Sequence, residues 1–164
     1  MSGFLWLPLM WSNAVVASAA LSMVLEGWHP WDGLLGALVR IGAPTLVFSL
    51  IAIPLLDLRS RSARPQARAA LFMLLVPAGT FAATTLVVIV EQKLHFMEWH
   101  HSAWTRQGAH QTFFTALGTG VMQLLATLRH LVLLGLPAAI VLSIVFARRP
   151  GQVRAVADHL EATP

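Results

Sequence analysis

The sequence predicts an all-α integral membrane protein: an up-down bundle of four transmembrane helices with a histidine- and tryptophan-rich cap on its extracytoplasmic face. Three observations lead there. The chain of 164 residues is 57% hydrophobic, with a mean hydropathy of +0.70. Only 11% of it is charged, against about a quarter in soluble domains. Its apolar residues fall into four long runs, each able to cross a ~30 Å hydrocarbon core at about 1.5 Å per residue. The length suits a single domain.

Residues 3–25 carry no charge and form the first expected span. Ala17-Ser18-Ala19 has the small-x-small form of a signal-peptidase site, but no Lys or Arg precedes the apolar run, so the segment is expected to be retained. Pro30 and Gly33 then break the helix, and Trp28 and Trp31 suit a headgroup interface. The second span, 34–56, holds Arg40 near its start and Pro44 and Pro54 within it. An arginine in lipid costs about 2.5 kcal/mol or more unless it snorkels or faces a partner. Arg59, Arg61, Arg64 and Arg68 follow with one acid, Asp57, which marks this loop as cytoplasmic.

The third span, 70–90, is interrupted by Pro77-Ala78-Gly79. The cap, 91–127, therefore lies on the opposite face. Its last part, 112–127, has three placements open to it: an interfacial helix, a re-entrant piece, or an extension forming one long helix with the fourth span. That span, 128–147, ends at Arg148-Arg149-Pro150, and 148–164 is a polar cytoplasmic tail. Short connections favour antiparallel neighbours, with both termini cytoplasmic. Abundant Ala, Leu and Arg with a single Lys suggest a GC-rich bacterial genome, hence a bacterial inner membrane.

This topology gathers His29, His95, His100, His101, His110 and His130 on or near the outer face, with Glu26, Asp32, Glu91 and Glu98, and leaves His159 inside. The absence of cysteine excludes disulfides, thiolate metal sites, iron–sulfur clusters and covalent haem attachment. Imidazole with carboxylate is the ligand set of zinc, copper(II), nickel and non-haem iron. On a helix, Glu91 and His95 stand at i, i+4 and Glu98 and His101 at i, i+3, so His95, Glu98, His101 and His130 are the candidate metal ligands. His95 and His130 are the candidate axial pair for haem b. Glu98 to His101 reads E-x-x-H, similar to the helix motif of di-iron carboxylate bundles, which combine two such motifs with two further glutamates on neighbouring helices. His95 to His101 reads H-x4-H-H and resembles one histidine box of membrane desaturases and hydroxylases, which use several. The competing reading is a wet interfacial belt of histidine and tryptophan without a ligand.

Arg40 and Arg129 lie toward the outer ends of their spans, where Glu26 and Glu91 can meet them. A paired set would mark a polar cavity. The basic residues cluster beside apolar runs rather than along a polar face, which argues for membrane topology and against nucleic acid. Small size without a nucleotide motif favours an accessory or interaction subunit of a membrane complex, bound to the lipid bilayer and to other subunits or to copies of itself. The alternatives are a metal- or haem-dependent oxidoreductase and a small oligomeric transporter.

Overall fold

The computed structural model describes residues 5–27, 33–95 and 104–148, and every regular element among them is helical. They are α1 (Trp6–Leu25), α2 (Leu34–Ser60), α3 (Pro65–His95), α4 (Arg106–His130), a π-helical segment (Leu131–Gly135) and α5 (Leu136–Arg148). α4, the π segment and α5 run on as one helical stretch, so the described residues make four helices long and apolar enough to cross a membrane. Their outward surface is rich in exposed Leu, Val and Ile, which is compatible with lipid contact.

α1 packs on α2, α2 on α3, and α3 on α4 and α5, which close the ring by returning to α1. Among the described residues α2 and α4 share no contact and stand diagonally across the bundle. The core lies toward the end where α1 begins and α5 finishes. Leu7, Trp11 and Val15 of α1 meet Ile53 of α2, Phe72 and Val76 of α3, and Ala139, Leu142 and Phe146 of α5. In lipid, close packing of small residues takes over the role that the hydrophobic effect plays in water. Gly79 shows how: a methyl group there would collide with the Phe48 ring, so the glycine is the socket for that ring. A Cβ on Gly42 would lie 2.8 Å from Val16 Cγ2, which fixes the α1–α2 approach in the same way.

Hydroxyls tie the proline-bearing helices together. Thr45 Oγ1 donates to the Ile41 carbonyl at 2.6 Å, one residue beyond Pro44. Ser49 Oγ lies within reach of the Leu46 carbonyl at 3.0 Å and the Pro8 carbonyl at 3.4 Å. α3 starts on Pro65, where the missing N–H costs nothing, and continues through Pro77 and Gly79 without a break.

The longest element differs most from a hydropathy reading. The stretch Arg106–Arg148 covers 43 residues, about 65 Å of helix. Thr105 starts it as the N-cap, its hydroxyl accepting from the Gly108 N–H at 3.0 Å. Residues 112–127 are thus helical and continuous with the fourth span, and 91–95 continue α3. Pro137 lacks the N–H that would hold the Leu133 carbonyl, and its ring crowds that position. The chain widens into a π turn just before it. Ser18 of α1, fully buried, inserts its hydroxyl into the opened ladder. It donates to the His130 carbonyl and accepts from Leu134 N at 3.0 Å and Gly135 N at 3.3 Å. A side chain wedged into the helical ladder is a recognised cause of such local widening.

Candidate functional site: two ion pairs around a central cavity

Helix direction explains the charged layer. Side chains lean toward the N-terminus of their own helix. Arg40 on α2 and Glu91 on the antiparallel α3 therefore lean toward each other, and Arg40 Nε meets Glu91 Oε2 at 3.1 Å. Arg129 on α4 and Glu26 at the end of α1 do the same, Nε to Oε1 at 2.8 Å. Ser22 donates a further hydrogen bond to the same Glu26 oxygen at 2.9 Å. The four residues expected to line a polar cavity are thus arranged as two neutral pairs on neighbouring helices. Arg40 and Arg129 are exposed, with 62% and 65% of their side chains accessible, while Glu26 is held at 20%.

Beside these pairs the four helices enclose a half-open cavity of about 180 Å³. Val15, Ala19 and Met23 of α1 form its apolar wall, and Thr80, Thr84 and Val88 of α3 face them. Arg40 contributes from α2, and Gln123, Thr127 and His130 from α4. Two of the hydroxyls are engaged elsewhere. Thr80 accepts the indole N–H of buried Trp11 at 2.9 Å, and Thr84 donates to the carbonyls of Thr80 and Phe81. His130 Nδ1 is buried and has no hydrogen-bond partner among the described residues.

Of the candidate metal ligands, Glu98 and His101 lie outside the described residues, as do His29, Asp32 and His100. His95 and His130 line different depressions. His95 sits with Arg40, Glu91, Gln92 and Leu94 on the outer rim, and His130 sits in the central cavity. Among the described residues no group of three or more His, Asp or Glu side chains stands close enough to hold a metal ion.

The opposite end holds a cluster that the loop-arginine reading passed over. Arg68, only 5% of its side chain accessible, donates to Asp57 Oδ1 at 2.6 Å and stacks over the Phe146 ring at 4.9 Å. Phe72 packs on the same ring at 5.2 Å between centroids. Arg61 approaches the other Asp57 oxygen at 3.9 Å from the surface. In the sequence Arg68 is one of four arginines in a basic stretch. The one signal that separates it is its place a full turn inside α3, in line with Phe72 and Val76 at i+4 and i+8.

Outside the bundle core, α4 turns its polar face inward. Thr119 Oγ1 hydrogen-bonds the Gln92 amide oxygen, and Lys93 Nζ donates to Thr112 Oγ1 at 2.9 Å. The outward face carries Phe114, Leu117, Val121, Leu124 and Leu128, each between 45% and 62% exposed. No family model matches this chain, and neither a curated protein nor a solved structure is significantly similar to it.

Proposed function

We propose that this chain is a small multi-pass membrane protein of the interaction class, an accessory subunit that binds another membrane-protein subunit along the outward face of α4. Charge layers support the membrane placement. Arg129 to Arg148 rises about 28 Å, Arg40 to Asp57 about 26 Å and Arg68 to Glu91 about 34 Å, close to a hydrocarbon core of ~30 Å. The end bearing Asp57, Arg68 and Arg148, with the start of α1 and the end of α5, faces the cytoplasm by its arginine excess. The two outer ion pairs face the extracytoplasmic side of a bacterial inner membrane.

The observation that carries the reading is the outward seam of α4. Phe114, Leu117, Val121, Leu124 and Leu128 recur in alternating steps of three and four, the a/d pattern by which one helix packs on another. Phe114 stands about 22 Å and Leu117 about 18 Å beyond Arg129 along the helix, above the headgroups if Arg129 marks the outer edge of the hydrocarbon. An apolar stripe in water, on a helix whose polar face is turned inward, calls for an apolar helix laid against it.

The absence of native cysteine makes the test clean. Phe114→Cys and Leu117→Cys variants, reacted with a membrane-impermeant maleimide, are expected to be protected in native membranes and fully labelled after purification in detergent. A photo-crosslinker at 117 is expected to give a discrete heavier adduct, and one at lipid-facing Leu74 is not. Equal labelling in membranes and in detergent sinks the reading. A disulfide joining two copies of the Leu117→Cys variant would move the occupant from a foreign subunit to a second copy of this chain.

A further inference from the structure

Arg40 and Glu91 line an open depression of about 560 Å³ on the outer rim, together with Gln92, Leu94 and His95. A cation and an anion therefore stand side by side there, Nε to Oε2 at 3.1 Å. Among the described residues no other hydrogen bond or ion pair involves either side chain. The terminal N–H groups of Arg40 and the second oxygen of Glu91 thus keep donor and acceptor capacity. With 62% and 42% of their side chains accessible, both can take a further partner without leaving each other.

Depth sets what that partner is. Arg40 to Asp57 and Arg68 to Glu91 each span about one hydrocarbon core along their helices, which puts the pair at the outer hydrocarbon edge, among phospholipid headgroups. Leu94 beside it is 64% exposed and offers apolar contact to the start of the acyl chains. Every phospholipid brings a phosphate, which a guanidinium binds well. The headgroups differ in what they bring to Glu91. A glycerol headgroup carries no cation and sets its net negative charge beside the carboxylate. Choline carries a cation without an N–H, so Glu91 gains no hydrogen bond. Ethanolamine ends in a primary ammonium, which joins positive charge to N–H donors.

We infer that this depression binds the headgroup of phosphatidylethanolamine, its phosphate on the Arg40 guanidinium and its ammonium on the Glu91 carboxylate. The assignment rests on the membrane placement proposed above and is separate from the α4 partner. Soluble phosphoethanolamine has the same polar chemistry, but only the lipid is held at this depth by its chains.

Native mass spectrometry reads the lipids retained by the full-length protein when it is released from nanodiscs holding phosphatidylethanolamine, phosphatidylcholine and phosphatidylglycerol in equal parts. Phosphatidylethanolamine should be enriched roughly threefold over each of the others, the scale of one exposed charge contact. Glu91→Gln removes the anion and keeps the shape, so the preference over phosphatidylcholine should disappear and phosphatidylglycerol should be retained better than by the natural protein. Arg40→Met should abolish the enrichment, and Arg129→Met, at the other outer pair, should leave it unchanged. Each change touches an exposed arginine or its exposed partner, so folding should hold. A large excess of soluble phosphoethanolamine should not displace the lipid. The inference is overturned if the three lipids are retained alike, if Glu91→Gln keeps the preference, or if soluble phosphoethanolamine displaces the lipid. Retention without preference would still support the membrane placement, whereas loss of every lipid would count against both.

Discussion

Arginine meets carboxylate at both ends of the bundle, and the surroundings make the two ends different. At the end where α1 begins and α5 finishes, called the inner end, Arg68 is sealed between Asp57 and the face of Phe146, with side-chain exposures of 5% for the arginine and 15% for the acid. At the outer end Arg40 and Glu91 keep 62% and 42% of their side chains accessible, and Arg129 keeps 65%. A sealed pair cannot open without leaving a charge buried, so it acts as a clamp on α2, α3 and α5. An exposed pair exchanges its partner for water, a headgroup or a ligand at small cost. The contrast divides the molecule into a fixed inner half, where the aromatic core sits, and an outer half built around the central cavity.

Removing Asp57 should break that contrast most severely. Asp57→Ala leaves the Arg68 guanidinium buried against Phe146 without its acid. Loss of one partner of a buried pair costs about 3–5 kcal/mol, which should appear as a large fall in thermal stability of the detergent-purified protein. Replacing both residues, with Asp57→Leu and Arg68→Met together, should recover most of the loss, because an apolar pair of similar volume removes the desolvation cost as well as the attraction. A double variant as unstable as the single one would show that the ion pair itself, rather than the orphaned charge, stabilises this end.

Between the two ends, Ser18 is the hinge of the comparison. Its hydroxyl is the bridge across the opened ladder before Pro137, joining the His130 carbonyl to the N–H groups of Leu134 and Gly135. Ser18→Ala should cost about 1–3 kcal/mol, the penalty of leaving buried backbone groups unpaired. Ser18→Gly, smaller still and equally unable to bridge, should cost at least as much. The site-specific sign is displacement of His130: in Ser18→Ala, backbone amide signals at 130 to 135 should shift or lose exchange protection while those of Phe72 and Phe146 stay unchanged. An unperturbed π segment would mean that Pro137 alone sets it.

How far these features could be read from the sequence follows from what each depends on. The four apolar runs were legible because crossing lipid needs about twenty apolar residues in a row, a property of composition alone. The ends of the helices were less so. Hydropathy stops at Val90, yet α3 continues through Glu91, Gln92, Lys93, Leu94 and His95, which are good or tolerated helix formers once they leave the apolar layer. Gly118, Gly120 and Arg129 look like interruptions in the sequence, but α4 passes through all three. The pairings of Arg40 with Glu91 and Arg129 with Glu26 depend on helix register, and only the expectation of antiparallel neighbours narrowed the choices. Ser18 lay inside a motif weighed as a cleavage site. Its role rests on a contact with a proline-bearing helix more than a hundred residues away, which no local pattern encodes. Residues 96–103, between α3 and α4, lie outside the described residues, and with them two of the four candidate metal ligands.

The smallest effect is expected at Arg40, and it sharpens the comparison by its size. Both members of the Arg40–Glu91 pair are more than a third exposed, and exposed pairs are worth about 0–1 kcal/mol. Arg40→Met keeps much of the length and the apolar stem of the side chain, so thermal stability should fall by less than about 1 kcal/mol. Salt supplies the control. The Debye length shrinks from about 10 Å at 0.1 M to about 3 Å at 1 M, so the difference between the natural protein and Arg40→Met should vanish in about 1 M sodium chloride. The deficit of Asp57→Ala should persist there, since salt does not reach a sealed pair. If Arg40→Met instead loses as much stability as Asp57→Ala, and the loss survives high salt, the outer pair is a second clamp. The division into a fixed inner half and a yielding outer half would then fail, because both rims of the bundle would be locked.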